Sequence, residues 1–131
     1  MGLKMVLDHV AILVEDLGRS VQFYSKILEL PVAKTLETQG TKTVFVNAGS
    51  AMISLSKVKG DKANRPSAGL KDTGLKSISF RVHNVEEAWR ELLRRGVIFT
   101  SSPETTEGGY KRADFTDPNG IVLELIQYPV P

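Results

Sequence analysis

The chain has 131 residues, of which 41% are hydrophobic and 24% charged, and it contains no cysteine. This composition excludes disordered, collagen-like and coiled-coil classes, and the length suits one compact domain or two small halves that share a core. Without cysteine there are no disulfides, thiolate metal sites or cysteine nucleophiles. The net charge of +2 is too small for a general nucleic-acid binder. No apolar run approaches the ~20 residues of a membrane span, and the first residues lack a signal-peptide pattern, so we expect a cytoplasmic protein without nucleic-acid or membrane partners.

Hydrophobic patterning predicts a strand, a helix and three strands in the first half of the chain. Asp16 is placed to cap a helix whose apolar residues recur every three or four positions, and Pro31 ends it. Glycines mark the turns between the later strands. The four strands are predicted at 5–14, 32–38, 42–47 and 51–57.

The same order of elements is predicted again in the second half. Asn84, followed three residues later by Glu87, forms a capping-box pattern, and Gly96 supplies the end of that helix. The sequence Asp117–Gly120 is a strong turn signal before the last strand. The four strands of this half are predicted at 75–82, 97–101, 110–116 and 121–128.

The two halves superpose, which indicates an internal duplication. We therefore divide the chain into a first module, 1–57, a linker, 58–74, and a second module, 75–131. Basic residues are concentrated in and beside the linker. They suit either a solvated linker or a collar for an anionic ligand tail. The residues are Lys57, Lys59, Lys62, Arg65, Lys71 and Lys76.

Alternation along the strands separates two faces. On the first strand, one set of residues fits a face covered by a helix, and the other set includes His9. On the last strand, Glu124 lies between Val122 and Ile126. His9 and Glu124 are thus polar groups in apolar stripes, and each needs a partner, a ligand or a function. Their counterparts in the duplication are Ser77 and Ser54. The helix-covered set is Val6, Val10, Ile12 and Val14, and the opposite set is Leu7, His9, Ala11 and Leu13.

Three stretches resemble the vicinal oxygen chelate superfamily, which includes glyoxalase I, methylmalonyl-CoA epimerase, extradiol dioxygenases and bleomycin-resistance proteins. The stretches are Leu7–Ile12 with the helix after it, Ser77–Val82, and Phe115–Gly120 leading to Leu125. The resemblance implies an α+β fold in which two βαβββ modules curl their sheets around a central cavity, with helices outside. It also implies a homodimer that binds a small molecule.

The resemblance also implies metal-binding positions. Members hold a divalent metal with up to four residues, which correspond here to His9, Ser54, Ser77 and Glu124. His9 and Glu124 are therefore the candidate ligands for Zn, Ni, Co or Mn. Two serine hydroxyls make the set incomplete, because zinc sites normally use three or four His, Cys or carboxylate groups. We favour no tightly bound metal.

The candidate roles follow from chemistry and resemblance together. Glu124 is a candidate general base, or a structural carboxylate paired with His9 or with an arginine. His9 is a candidate catalytic group, or a neutral hydrogen-bonded histidine. Ser54 and Ser77 are expected to line the substrate pocket, and Lys111 and Arg112 to contact an anionic substrate tail or to end a solvated hairpin.

Two functions stay open from the sequence. The first is a lyase or isomerase that moves a proton next to a carbonyl in a glutathione- or CoA-linked substrate. The second is a metal-free small-molecule-binding protein that resembles bleomycin-resistance proteins.

Overall fold

The computed structural model describes residues 2–59 and 73–130. The chain forms two compact units, Met1–Gly60 and Asp61–Pro131. Most of the predicted linker at 58–74, including Lys62, Arg65 and Lys71, lies outside the described residues. Each unit contains one four-stranded sheet and one α-helix, in the order strand, helix, strand, strand, strand, so the predicted α+β fold is confirmed.

The first unit contains a sheet with the strand order β1-β4-β3-β2. The elements are β1 His9–Val14, α1 Leu17–Gln22, a π-helical turn Phe23–Ile27, β2 Val32–Thr38, β3 Thr41–Asn47 and β4 Met52–Lys57. Strand β1 pairs parallel with β4, and the other neighbours are antiparallel. Asp16 begins α1 by accepting a hydrogen bond from the Arg19 amide, as its position predicts.

The helix-bearing face of this sheet is the core of the first unit. Ile12, Val14, Val46 and Leu55 are buried there, with Tyr24 of the π-helical turn. Ala11 and Leu13 point to the opposite face and are exposed, as alternation predicts.

The second unit repeats this architecture with the strand order β5-β8-β7-β6. Its elements are β5 Ile78–Arg81, α2 Val85–Arg94, β6 Glu104–Thr105, β7 Lys111–Thr116 and β8 Val122–Gln127. Asn84 caps α2 by accepting from the Glu87 amide at 3.0 Å, as the capping-box pattern predicts. Phe115, Leu123 and Leu125 form the core beneath α2.

The two outer parallel pairs have the same register. Ala11 lies opposite Ser54 in the first unit, and Ser79 lies opposite Glu124 in the second. Two residues before Ala11 and Ser79 are His9 and Ser77. The correspondence of His9 with Ser77 and of Ser54 with Glu124 is therefore present in the strand pairing of each unit.

The predicted strand at 5–14 begins too early. Strand β1 starts at His9 because its parallel partner β4 starts at Met52 and offers nothing to pair with the residues before Asp8. Val6 was predicted to lie on the helix-covered face and instead is 91% exposed, and Leu7 is exposed as well.

The predicted strand at 97–101 is wrong. Only an isolated bridge joins Phe99 to Phe115 there, and the short strand β6 forms later in the chain. The Thr100 and Ser101 amides both donate to the Asp114 carbonyl, and the Ser101 hydroxyl accepts from the Asp114 amide. A side chain thus takes the place of a main-chain partner and interrupts the ladder.

Candidate functional site

Each sheet has one face covered by its helix and one face that no helix of the described residues covers, which we call the open face. In the first unit, Ser54 is paired with Phe45 of β3, so both side chains share a face, and alternation along β1 adds His9. In the second unit, Glu124 lies between Ser79 of β5 and Asp114 of β7. Four of the residues predicted from the sequence, His9, Ser54, Arg112 and Glu124, therefore lie on the open faces.

On the first open face, Phe45 is the centre of the arrangement. The His9 ring meets it edge-on with centroids 5.0 Å apart, and Lys34 Nζ lies 4.7 Å from the Phe45 centroid. His9 Nδ1 also lies 2.7 Å from Asp8 Oδ2, and the His9 side chain is 34% exposed. Ser54 is buried in the middle of the sheet. His9 is thus a half-buried imidazole with a carboxylate neighbour.

On the second open face, both carboxylate oxygens of Glu124 accept hydrogen bonds. Ser79 Oγ donates to Oε1 and Arg112 Nε donates to Oε2, each at 2.7 Å. The Glu124 side chain is 14% exposed. Of the two partners considered for a structural Glu124, the structure shows the arginine.

Arg112 joins Glu124 to two further carboxylates. Its guanidinium lies 2.8 Å from Asp114 Oδ2 and 3.4 Å from Glu104 Oε1. Desolvation alone would lower the pKa of Arg112, but the hydrogen bonds that Arg112 donates to Glu124 and Asp114, with the charges of those two carboxylates, outweigh it and raise that pKa. Three carboxylates therefore share one permanently charged guanidinium. We call these four residues with Ser79 the Arg112 cluster.

One hydrogen-bond acceptor of the Arg112 cluster has no donor within the described part of the chain. Asp114 Oδ1 is buried and has no hydrogen-bond partner among the described residues. A buried acceptor without a donor costs about 1–3 kcal/mol, so Asp114 Oδ1 is an unmet hydrogen-bond acceptor of the cluster.

The remaining predicted site residues take less central positions. Ser77 is half-buried and immediately precedes β5. Lys111 Nζ lies 4.0 Å from Glu86 of α2, a distance at which the attraction is weak. Lys111 and Arg112 are neighbours in β7 and so point to opposite faces of the sheet.

Sequence reasoning missed Ser79, Asp114 and Glu104. Two of them left a usable signal. Counting back along the hairpin from the turn at Asp117–Gly120 pairs Asp114 with Glu124, and Ser79 shares a strand face with Ser77. Glu104 left none, because the strand that carries it was predicted elsewhere.

The candidate metal-ligating side chains on the open faces do not fit a tightly held divalent metal. Of the two candidate ligands, Glu124 already accepts a charge-assisted hydrogen bond from Arg112. Among residues 2–59 and 73–130, no group of three or more His, Asp or Glu side chains is arranged to hold a metal ion. A metal at Glu124 would displace a guanidinium that cannot lose its proton.

Comparison with known proteins places these observations in a family. The sequence profile described as the Glyoxalase/Bleomycin resistance protein/Dioxygenase superfamily matches residues 6–125. The human mitochondrial methylmalonyl-CoA epimerase is 31% identical over 130 residues, covering 92% of this chain and 73% of the relative. The lactoylglutathione lyase of Escherichia coli O157:H7 is also 31% identical, covering 94% of this chain and 93% of the relative.

A solved structure agrees with this assignment. The crystal structure of SMU.1112c superposes with a TM-score of 0.78 at 28% identity, and the match covers 95% of this chain and 99% of that one. Within the described residues, no helix is long and apolar enough to cross a membrane. The chain belongs to the glyoxalase/bleomycin resistance protein/dioxygenase superfamily, also called the vicinal oxygen chelate superfamily.

Proposed function

We propose that this protein binds a small molecule on its open faces without a tightly held metal ion, and that Glu124 serves as a charged hydrogen-bond acceptor. The observation that carries the proposal is the pair of 2.7 Å hydrogen bonds from Ser79 and Arg112 to the two Glu124 oxygens. The two hydrogen bonds hold the carboxylate in one orientation, and Arg112 supplies the positive charge that a metal would otherwise provide.

The charge of the cluster indicates the kind of ligand. Three carboxylates against one guanidinium leave negative charge in excess on this face. A carboxylate has about four lone-pair positions, so Glu124 keeps acceptor capacity beyond its two hydrogen bonds. The second open face therefore favours a ligand that presents an ammonium or another N–H or O–H donor.

Metal content tests the first half of this proposal. Protein purified without a histidine tag is dialysed against Zn²⁺, Ni²⁺, Co²⁺ or Mn²⁺ and analysed by mass spectrometry. We expect far less than about one ion per chain, because a stable site needs three or four ligands. About one ion per chain that is lost in Glu124→Gln, but kept in the control Glu107→Gln on an exposed turn, would refute it.

A matched series of probes tests the second half. We expect 2-phenylethylamine to shift the amide resonances of Ser79, Asp114 and Glu124 more than 2-phenylethanol does, and phenylacetate to shift them least. Glu124→Gln should weaken the binding of 2-phenylethylamine and leave the binding of 2-phenylethanol nearly unchanged. Tighter binding of phenylacetate would contradict the proposed ligand class.

A proton-transferring isomerase or lyase is the second candidate, favoured by the two relatives at 31% identity. In that case Glu124 would exchange a proton with a carbon next to a carbonyl, and His9 would assist at the oxygen. Incubation in deuterium oxide with methylmalonyl-CoA, or with the hemithioacetal of methylglyoxal and glutathione, distinguishes the candidates. Deuterium incorporation that Glu124→Gln abolishes would establish the enzyme, and its absence is expected for the binding protein.

A further inference from the structure

The helix-bearing face of the first sheet contains a groove that is separate from the open face. It lies between α1 with its π-helical turn and strands β2 and β3, and has a volume of about 630 Å³. This is within the range of small-molecule pockets. Its floor is mainly apolar, and two of its lining residues, Lys26 and Lys42, are cationic. The apolar lining residues are Leu17, Val21, Pro31, Val32 and Val44.

A smaller hollow of about 260 Å³ continues the groove past Lys42. It shares Leu17 and Lys42 with the first and adds Lys57 and Lys59. No carboxylate lines either hollow among the described residues, and none of the four lysines forms an ion pair there. The acidic neighbour on this face is Glu37, the cross-strand partner of Lys42. Among the described residues, apolar surface and an excess of positive charge thus occur together.

The groove exists because the helix is too small for the sheet. Four strands about 4.8 Å apart are wider than a helix of about 10 Å diameter. The six-residue α1 packs against β4, and every residue of the edge strand β2 is exposed. The side of the sheet near β2 therefore lacks a cover from the described part of the unit.

We propose that this groove binds a small anionic amphiphile, specifically a medium-chain alkyl carboxylate. The alkyl chain lies on the apolar floor between Val21 and Val32, and the carboxylate lies between Lys26 and Lys42. Charge complementarity selects this occupant: an acidic head meets Lys26 and Lys42, and Lys57 and Lys59 of the adjoining hollow add positive charge, whereas a cationic partner is repelled. The groove lies on the helix-bearing face of the first sheet and not on its open face, so this proposal is independent of the proposed function.

The test compares three probes with the same ten-carbon tail, below the concentrations at which they form micelles. Decanoate, decanol and decyltrimethylammonium are titrated into ¹⁵N-labelled full-length protein. We expect decanoate to shift the amides of Gly18 and Thr35, decanol to bind several-fold more weakly, and the cation to bind most weakly. Raising the salt concentration should lower the affinity for decanoate but not the affinity for decanol.

Substitutions locate the site. We expect Lys26→Gln and Lys42→Gln each to lower the affinity for decanoate about 2–5-fold, which is the effect of losing one exposed charge contact. Neither substitution should lower the affinity for decanol. Lys76→Gln, an exposed lysine of the second unit, is the matched control and should change nothing. Val32→Ser should lower the affinities for decanoate and decanol to the same extent.

Three results would overturn the proposal. Equal affinity for decanoate and decanol would mean that the groove binds the alkyl tail but does not select a carboxylate head. Shifts confined to Ser79 and Glu124 would place the tail on the open face of the second unit. Amide shifts at Gly18 and Thr35 that depend on protein concentration, with no response to decanoate, would mean that a second copy of the chain covers the groove.

Discussion

Replacing Arg112 with methionine should destabilise the protein through electrostatics rather than packing. The substitution keeps the apolar length of the side chain and removes the guanidinium that faces three carboxylates at 2.7, 2.8 and 3.4 Å. Removing one member of a fully buried pair costs about 3–5 kcal/mol, and Arg112 is 30% exposed. Allowing for that solvent screening, we expect a loss of about 2–3 kcal/mol in the free energy of unfolding at pH 7.

Urea denaturation followed by circular dichroism, repeated between pH 7 and pH 4, measures this loss. The loss should shrink as the pH falls, because protonation removes negative charges that the variant no longer neutralises. Two controls bracket the effect: Arg112→Lys keeps the charge but not the planar fork, and Lys111→Met removes a lysine that lies 4.0 Å from Glu86. Lys111→Met should cost less than about 0.5 kcal/mol. A loss for Arg112→Met that is independent of pH would refute the electrostatic reasoning.

Four further substitutions test other parts of the structure by the same denaturation assay. Glu124→Gln should change stability by less than about 1 kcal/mol, since Arg112 keeps two carboxylate partners; a loss as large as that of Arg112→Met would contradict this. Gln39→Asn should stabilise by about 0.5 kcal/mol, because Gln39 and Gly40 form a two-residue hairpin turn with φ of 51° and 78°, which asparagine tolerates better; destabilisation would argue against the turn. Asn84→Ala should cost about 1 kcal/mol through the lost helix cap, with Asn84→Asp near neutral as its control. Leu55→Ala should cost about 2–5 kcal/mol because Leu55 is fully buried, and a smaller loss would mean that the core is loosely packed.

Much of the fold could be predicted because alternation and turn signals act locally. The two faces of β1 were separable from the sequence, with Ile12 and Val14 buried and Ala11 and Leu13 exposed. The failure at 97–101 has a different origin. There a Ser101 hydroxyl competes with a main-chain partner for the Asp114 amide, and composition does not reveal such a tertiary hydrogen bond.

The site was predictable by face but not by partner. Alternation along the last strand predicted that Glu124 lies on the open face. The sequence left both His9 and an arginine open as the partner of its negative charge. Arg112 lies opposite Ile126 and reaches Glu124 diagonally across the β7–β8 pair. Such a reach depends on the rotamer of a long side chain, which the neighbouring Asp114 and Glu104 select.

The parallel pairing of β1 with β4, and of β5 with β8, has a consequence for how the chain folds during synthesis. Among the described strands, the first strand of each unit pairs with the last and with no other, so it must wait until nearly the whole unit has left the ribosome. In the first unit the hairpin of β2 and β3 can form earlier, because its contacts are local and do not need β4. Until β4 emerges, the buried side chains of β1 are exposed to solvent, which makes that interval the one in which a nascent chain most needs protection from aggregation.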